Sequence, residues 1–368
     1  MNFDRRLATN FDWGTLLLTV AIVTLSVILL YSATHHRTDT LAGVYVKQLS
    51  WAGMGFICML VVVCIDYQVL SRYAYLFYGA TILGLVAVLL FGRVINGAQR
   101  WLTFGPVRFQ ISELIKPAII LVLARYFVET TQQNDEPLGF RDLIAPFALV
   151  GLPFLLIAKQ PDLSTSMVLV AILCMMVAMM GLRRKVLLTL ALLGACTLPA
   201  AWYLLAEYQR DRLLALFNPQ SDLLGTGYHS WQSKIAIGSG GLWGKGFLAG
   251  TQSRLHFLPE MHTDFIFAVL GEEMGFAGVL LLLLLFGALL LHGFTIAYHS
   301  RDRLGAMIAV GVVTLLMAHV FLNIGMTTGL MPIIGLPLPL VSYGGSSLVT
   351  TCLCLGLLMN VRMRRFKF

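Results

Sequence analysis

Apolar runs close to twenty residues long recur from one end of this chain to the other, and that recurrence limits the fold more than any other feature. About 20 apolar residues carry a helix across a bilayer. Hydrocarbon satisfies no backbone N–H or C=O, so a spanning segment must be a helix or part of a closed barrel. The runs are continuous rather than alternating, which selects helices. Spans are predicted near 14–33, 48–66, 73–92, 112–128, 143–158, 163–181, 185–205, 264–292, 305–330 and 338–361. Of the 368 residues 58% are hydrophobic and 12% charged, against roughly a quarter charged in soluble domains. The expected fold is an all-α polytopic membrane protein, one integral-membrane domain over residues 1–368. It has ten transmembrane helices and a large extracytoplasmic loop, 206–263, between the seventh and eighth.

The charges orient the spans. With an even number, both termini share a side, and that side holds fourteen basic residues. They include Arg5, Arg6, Arg183, Arg184, Lys185 and the cluster Arg362, Arg364, Arg365 and Lys367. The short loops opposite hold seven, so both termini are read as cytoplasmic. The net charge of +8 is then a topology signal and not a nucleic-acid surface. Arg5 and Arg6 before the run from Leu16 to Tyr31 resemble a signal peptide, but the run is long and YSATHH is a poor cleavage site. A retained first span is expected. All six cysteines lie within apolar runs, without disulfide or metal spacing. The cytoplasmic loops are short and carry no nucleotide-binding glycine loop, so chemistry is expected outside, without a nucleotide.

Polar residues gather in five places. In 93–125, Asn96-Gly97 and Gly105-Pro106 signal turns, and Ser112 is a candidate N-cap. Glu113 and Lys116 stand at i and i+3. They read either as an interfacial ion pair with Lys116 snorkelling outward, or, with Arg100 and Arg108, as a phosphate-binding cluster. In KQPDLSTSM, Asp162 either caps the sixth span or orders the cations of a site. In the long loop, Leu213, Leu214, Leu216 and Phe217 suit a short interfacial helix, and Tyr228, Trp231 and Ile235 follow helical spacing. The glycine-dense GSGGLWGKG after them lies beside Lys234 and Lys245 and could cradle phosphate, a weak signal without a strand–loop–helix context. In LPEMHTDFIFAVLGEEMG, Glu260, His262, Asp264, Glu272 and Glu273 precede a run that is already 18 residues long from Met274. Asp264 reads as a carboxylate at a helix N-terminus, whose dipole would lower its pKa, or as a functional group. In GLPLPLVSYGGSSLV, Gly344 to Ser347 suit close helix packing, with Ser342 and Tyr343 able to line a cavity.

Together GAQRW, RFQISELIK, QPDLST, QSKIAIGSGGL, GTQSRLHFLPEMHTDFIFAVLGEEMG and PLPLVSYGGSS resemble the SEDS family (shape, elongation, division and sporulation), in its elongation branch, over essentially the whole chain. The resemblance implies ten transmembrane helices with a large outer loop. It implies a peptidoglycan glycosyltransferase of the bacterial cytoplasmic membrane that polymerises lipid II, an undecaprenyl-diphosphate-linked substrate. It implies a class B penicillin-binding protein as crosslinking partner, within the elongation machinery. The family's essential aspartate maps onto Asp264, its fourth-span Glu and Lys onto Glu113 and Lys116, and its QPD aspartate onto Asp162.

On that reading Asp264 is the general base, or the ligand of a divalent cation (Mg or Mn) on the diphosphate. Arg100, Lys116, Lys234 and Lys245 would hold diphosphate oxygens, Glu113 and Asp162 would order those cations, and His262 and Ser342 would line the substrate site. The rival readings are a lipid II flippase and a non-catalytic scaffold for a transpeptidase.

Overall fold

The computed structural model of the chain describes residues 10–35, 43–95, 98–104, 107–131, 137–204, 207–217, 226–254 and 260–365. In chain order the helices are α1 (Trp13–Thr34), α2 (Val44–Cys64), α3 (Tyr67–Arg72) and α4 (Ala74–Phe91). Three strands follow, β1 (Arg93–Ile95), β2 (Ala98–Phe104) and β3 (Val107–Phe109). Then come α5 (Ile111–Thr131), α6 (Phe140–Lys159), α7 (Leu163–Met180) and α8 (Arg184–Leu204). The long loop contributes α9 (Glu207–Phe217), α10 (Thr226–Ser239) and α11 (Thr251–Arg254). The chain finishes with α12 (Ile266–Tyr298), α13 (Arg303–Thr328) and α14 (Gly345–Met363).

Eight helices among the described residues are long and apolar enough to cross a membrane: α1, α2, α4, α6, α7, α12, α13 and α14. The innermost are α13 and α14, with 72% and 83% of their most apolar stretches buried, against 28% for α2, α4, α6 and α12. The outer helices turn Leu76, Leu83, Phe91, Ile144, Leu155, Leu284 and Leu291 outward, where lipid tails replace water as the apolar solvent. The small residues that open α14 let it close on α2, for a Cβ on Gly345 would fall 2.3 Å from the Trp51 ring.

Three expectations need correction. The chain is not wholly helical, because β1, β2 and β3 pair antiparallel in the order β1-β2-β3. Their register sets Arg93 opposite Trp101 and Thr103 opposite Arg108. The last helix begins at Gly345 rather than 338, since Pro337 and Pro339 cannot donate to a helix. Ser112 is not an N-cap either, because α5 already starts at Ile111.

The long apolar helix α12 is broken. Gly275 takes φ 62° and ψ −158°, a conformation open to glycine alone. Such a break orphans carbonyls before it and N–H groups after it, and the loop after α10 satisfies both sets. Lys245 N donates to Glu272 O (3.0 Å) and Gly246 N to Glu273 O (3.1 Å). Phe276 N donates to Gly241 O (2.9 Å) and Ala277 N to Leu242 O (3.1 Å). The approach is so close that a Cβ on Gly244 would lie 2.1 Å from the Glu273 carbonyl oxygen. Side chains complete the joint. Glu272 Oε1 accepts from Lys245 Nζ (2.8 Å), Thr251 N (2.8 Å), Thr251 Oγ1 (2.9 Å) and Gln252 N (3.0 Å). Glu273 Oε1 accepts from Ser32 Oγ on α1 (2.7 Å). The GSGGLWGKG loop is therefore a backbone splint on a membrane helix, with Gly240 and Gly244 at the closest approach. Glu272 and Glu273 are enclosed by protein, both 1% exposed, and meet no lipid.

Candidate active site

Asp264 lies in a tight turn just before α12. The N–H groups of Thr263, Asp264 and Phe265 all converge on the Glu260 carbonyl at 3.2–3.4 Å. Glu260 itself holds φ +51°, a left-handed conformation that a non-glycine residue keeps only where its surroundings enforce it. The rest of the turn is held by α13 and by the segment between α13 and α14. Asn323 on α13, wholly buried, donates through Nδ2 to Asp264 O (3.0 Å) and to Leu336 O (2.6 Å). Ser342 Oγ donates to Thr263 O and accepts from Leu338 N at 2.8 Å. Tyr343 N donates to His262 O (2.9 Å). The segment is anchored in turn by Ser26 Oγ on Val341 O (2.6 Å) and Gln48 Nε2 on Ser342 O (3.2 Å).

Gly335 joins this turn to a second carboxylate. A Cβ there would lie 3.3 Å from Asp264 Oδ2, so glycine leaves room for the Asp264 side chain. The Gly335 carbonyl lies 3.3 Å from Ser164 Oγ, which donates to Asp162 Oδ1 (2.8 Å). Asp162, 2% exposed, is the expected cap of α7. It accepts from Thr165 N (3.3 Å), Thr165 Oγ1 (3.0 Å) and Gln110 Nε2 (3.1 Å). Arg100, on β2, hydrogen-bonds the same turn through Gln160 O (3.0 Å) and Pro161 O, and its Nη1 stands 4.0 Å from Asp162. Asp162 thus caps α7 and stands beside the Arg100 guanidinium.

Asp264 is half-buried, and its pKa rises from 3.8 to about 6. Burial is the largest cause and Glu260 adds to it, while Arg212 and Arg100 pull the other way and Asp162 pushes up again. This reverses the expectation of a lowered pKa. The helix dipole acts at N–H groups that point along the axis. Here Phe265 is the N-cap, Asp264 lies outside the helix, and desolvation outweighs the dipole.

The other sequence candidates divide. Glu113 and Lys116 form an ion pair at 2.7 Å, but both are buried and Lys116 is 1% exposed. Lys116 does not snorkel outward. Its Nζ also meets His319 Nε2 at 3.1 Å, while His319 Nδ1 meets Pro337 O at 3.3 Å. The pair thus supports the 335–338 segment from beneath, two residues from the glycine beside Asp264. Lys234, half-buried, lies across Gly329, the C-cap of α13. Lys245 is held by Glu272 in the splint at 2.8 Å. The His262 ring tilts against Tyr343 at 6.0 Å. Ser342 is 3% exposed and spends its hydroxyl on the backbone. The side chain of Arg108 lies outside the described residues.

Sequence reasoning missed His319, Asn323, Gln110 and Arg212. A signal existed for two of them, because His319 and Asn323 stand at i and i+4 in a largely apolar 26-residue helix, where polar groups share one face and need partners.

Among the described residues no group of three or more His, Cys, Asp or Glu side chains could hold a metal ion. Asp264 offers a single half-buried carboxylate. A single carboxylate of that kind fits an ion shared with substrate phosphates, the usual habit of Mg2+.

Known proteins resemble this chain along its whole length. The family model for the FtsW/RodA/SpoVE proteins, described as "Cell cycle protein", matches residues 13–367. The peptidoglycan glycosyltransferase MrdB of Escherichia coli K12 is 42% identical over 358 residues, covering 97% of this chain and 94% of that protein. A chain from a structure of a peptidoglycan synthase complex that coordinates polymerization and crosslinking superposes with a TM-score of 0.82 at 33% identity. That match covers 97% of this chain and 99% of the other. The rod shape determining protein RodA of Thermus thermophilus superposes with a TM-score of 0.72 at 31% identity, covering 97% and 98%. The chain belongs to the FtsW/RodA/SpoVE family of cell cycle proteins, the SEDS family that its motifs resemble.

Proposed function

We propose that this protein is a peptidoglycan glycosyltransferase that polymerises lipid II at the outer leaflet of the cytoplasmic membrane during cell elongation. The observation that carries the reading is the Asp264 carboxylate: half-buried, fixed through its own backbone by Asn323, and raised to about 6 in pKa. A base is most useful when its pKa lies near the working pH. At pH 7 this carboxylate is mainly ionised yet basic enough to take a proton.

The reaction joins the 4-hydroxyl of one lipid-linked sugar to the anomeric carbon of another. The new O–C bond forms as the bond from that carbon to the diphosphate breaks. The hydroxyl proton passes to Asp264, and the lipid diphosphate departs with the bonding pair. A single displacement inverts the anomeric carbon. Arg100 and Arg212, whose charges are felt at Asp264, provide the positive field for the diphosphate. Asp162 and the Gln160–Pro161 carbonyls hold Arg100 in that position. A divalent ion, where present, would be held by Asp264 and the diphosphate and would add charge stabilisation to the leaving group.

In this proposal α5 and α8 join the eight apolar helices to make ten spans. Both termini are cytoplasmic, and the residues between α8 and α12 lie outside. Glu113 and Lys116 neutralise each other, which suits α5 to the bundle interior. A class B penicillin-binding protein would crosslink the product.

Purified Asp264→Asn is expected to lose polymerisation of labelled lipid II while retaining its fold. Retained polymerisation would remove Asp264 from the mechanism. Movement of lipid II across proteoliposomes without polymer formation would favour the flippase instead.

A further inference from the structure

A second polar site lies at the other end of the bundle, where the chain begins and ends. A cavity of about 190 Å3 opens between the end of α12, the turn into α13 and the end of α14. Its polar lining is His292, Thr295, His299, Ser300, Arg362 and Arg365. None of these carries a carboxylate. Thr295 Oγ1 and Ser300 Oγ already donate to Leu291 O and Asp302 O, and His299 Nδ1 meets Thr295 O, so Arg362 is the lining side chain with donors to spare.

The nearby acid, Asp12, stands behind the cavity, wholly buried and fully engaged. It accepts from Thr15 N (3.2 Å), Thr15 Oγ1 (2.6 Å) and Arg362 Nη1, and its Oδ1 lies 3.0 Å from His292 Nε2. Asp12 therefore clamps Arg362 and His292 from behind, as an orienting carboxylate does. Nε and Nη2 of Arg362 remain unclaimed among the described residues, and the side chain is 40% exposed. Arg362 and Arg365 both line the mouth, and no carboxylate does.

Two features set its depth and surroundings. Trp13, beside Asp12, and Tyr298, beside His299, are both highly exposed, as interfacial aromatics are at headgroup level. Leu291 and Phe294, one turn along α12, turn outward to where acyl chains would run.

We propose that this cavity binds a phosphate oxyanion, the chemistry shared by an anionic phospholipid headgroup and free phosphate. The guanidinium of Arg362 supplies the planar donor pair that suits phosphate, and basic pockets between membrane helices are known headgroup sites. The site is remote from Asp264 and does not depend on the glycosyltransferase reading.

The test uses the full chain in detergent, with native mass spectrometry counting retained phosphatidylglycerol against phosphatidylcholine of equal chain length, and inorganic phosphate as a separate arm. Wild type should retain phosphatidylglycerol selectively. Arg362→Gln with Arg365→Gln should weaken it by about 30-fold, the effect of two interfacial cations. Because Arg362→Gln leaves Asp12 buried without its cation, Arg365→Gln alone is included, with a loss of about fivefold expected. The pair Arg301→Gln with Arg303→Gln removes equal charge outside the cavity and should change nothing. Thermal protection by phosphate without lipid selectivity, lost in the Arg362 and Arg365 variants, supports the site with free anion as its occupant. Equal retention of both lipids without phosphate protection, or equal loss in the control pair, overturns the proposal.

Discussion

Replacing Asp264 by asparagine should make the protein more stable as it abolishes activity, and only above a definite pH. The carboxyl pKa is 3.8 ordinarily and about 6 in the folded protein. A folded-state pKa above the unfolded value means that ionisation favours the unfolded chain. The stability associated with the neutral carboxyl is fully present below about pH 4 and is lost as pH rises through 6. At 1.36 kcal/mol per pKa unit the full effect is about 3 kcal/mol. Partial solvent contact of the side chain screens it, so about 1–3 kcal/mol is expected. Asparagine has nearly the same shape and no charge to desolvate. The Asp264→Asn variant and wild type should therefore unfold together at pH 4. Between pH 4 and 6 the variant should become the more stable, and above pH 7 the gap should level off. The assay is thermal unfolding in one detergent at matched ionic strength across pH 4–8, with polymerisation measured on the same samples. Wild-type activity should rise through pH 6 as Asp264 ionises. A gap that does not depend on pH, or a variant less stable than wild type at pH 8, would refute the claim that desolvation dominates this carboxylate.

Three further outcomes test the supporting structure. Gly244→Ala meets both an inaccessible φ of +78° and the Glu273 carbonyl at 2.1 Å, so the splint on α12 should weaken by about 2–4 kcal/mol. Thermal unfolding reads this, and Trp243→Ala, exposed on the same loop, should leave the midpoint unchanged. Lys116→Met leaves Glu113 buried without its cation and should cost about 3–5 kcal/mol. Glu113→Gln with Lys116→Met should restore most of that loss, and polymerisation returning with stability would give the pair a structural role alone. Asn323→Leu removes the hydrogen bonds to Asp264 O and Leu336 O. It should lower kcat with little change in KM, and a pure KM effect would show that Asn323 does not position Asp264.

The apolar runs by themselves determined the helical membrane architecture and the approximate helix bounds. Length and hydropathy report the solvent around a segment, and that information is local in the chain. The Asp162 cap and the Glu113–Lys116 pair were legible for the same reason, since their partners lie within three residues.

Contacts across the bundle were not legible. Asn323 reaches Asp264 over 59 residues, Lys116 meets His319 over 203, and Ser32 meets Glu273 over 241. No periodicity encodes such pairings. Only the tertiary structure decided that the glycine loop splints a broken helix, that Glu272 and Glu273 belong to that joint, and that Lys116 points inward. It also decided the direction of the Asp264 pKa, because desolvation depends on what surrounds a carboxylate, and a dipole inferred from chain position carries no information about burial.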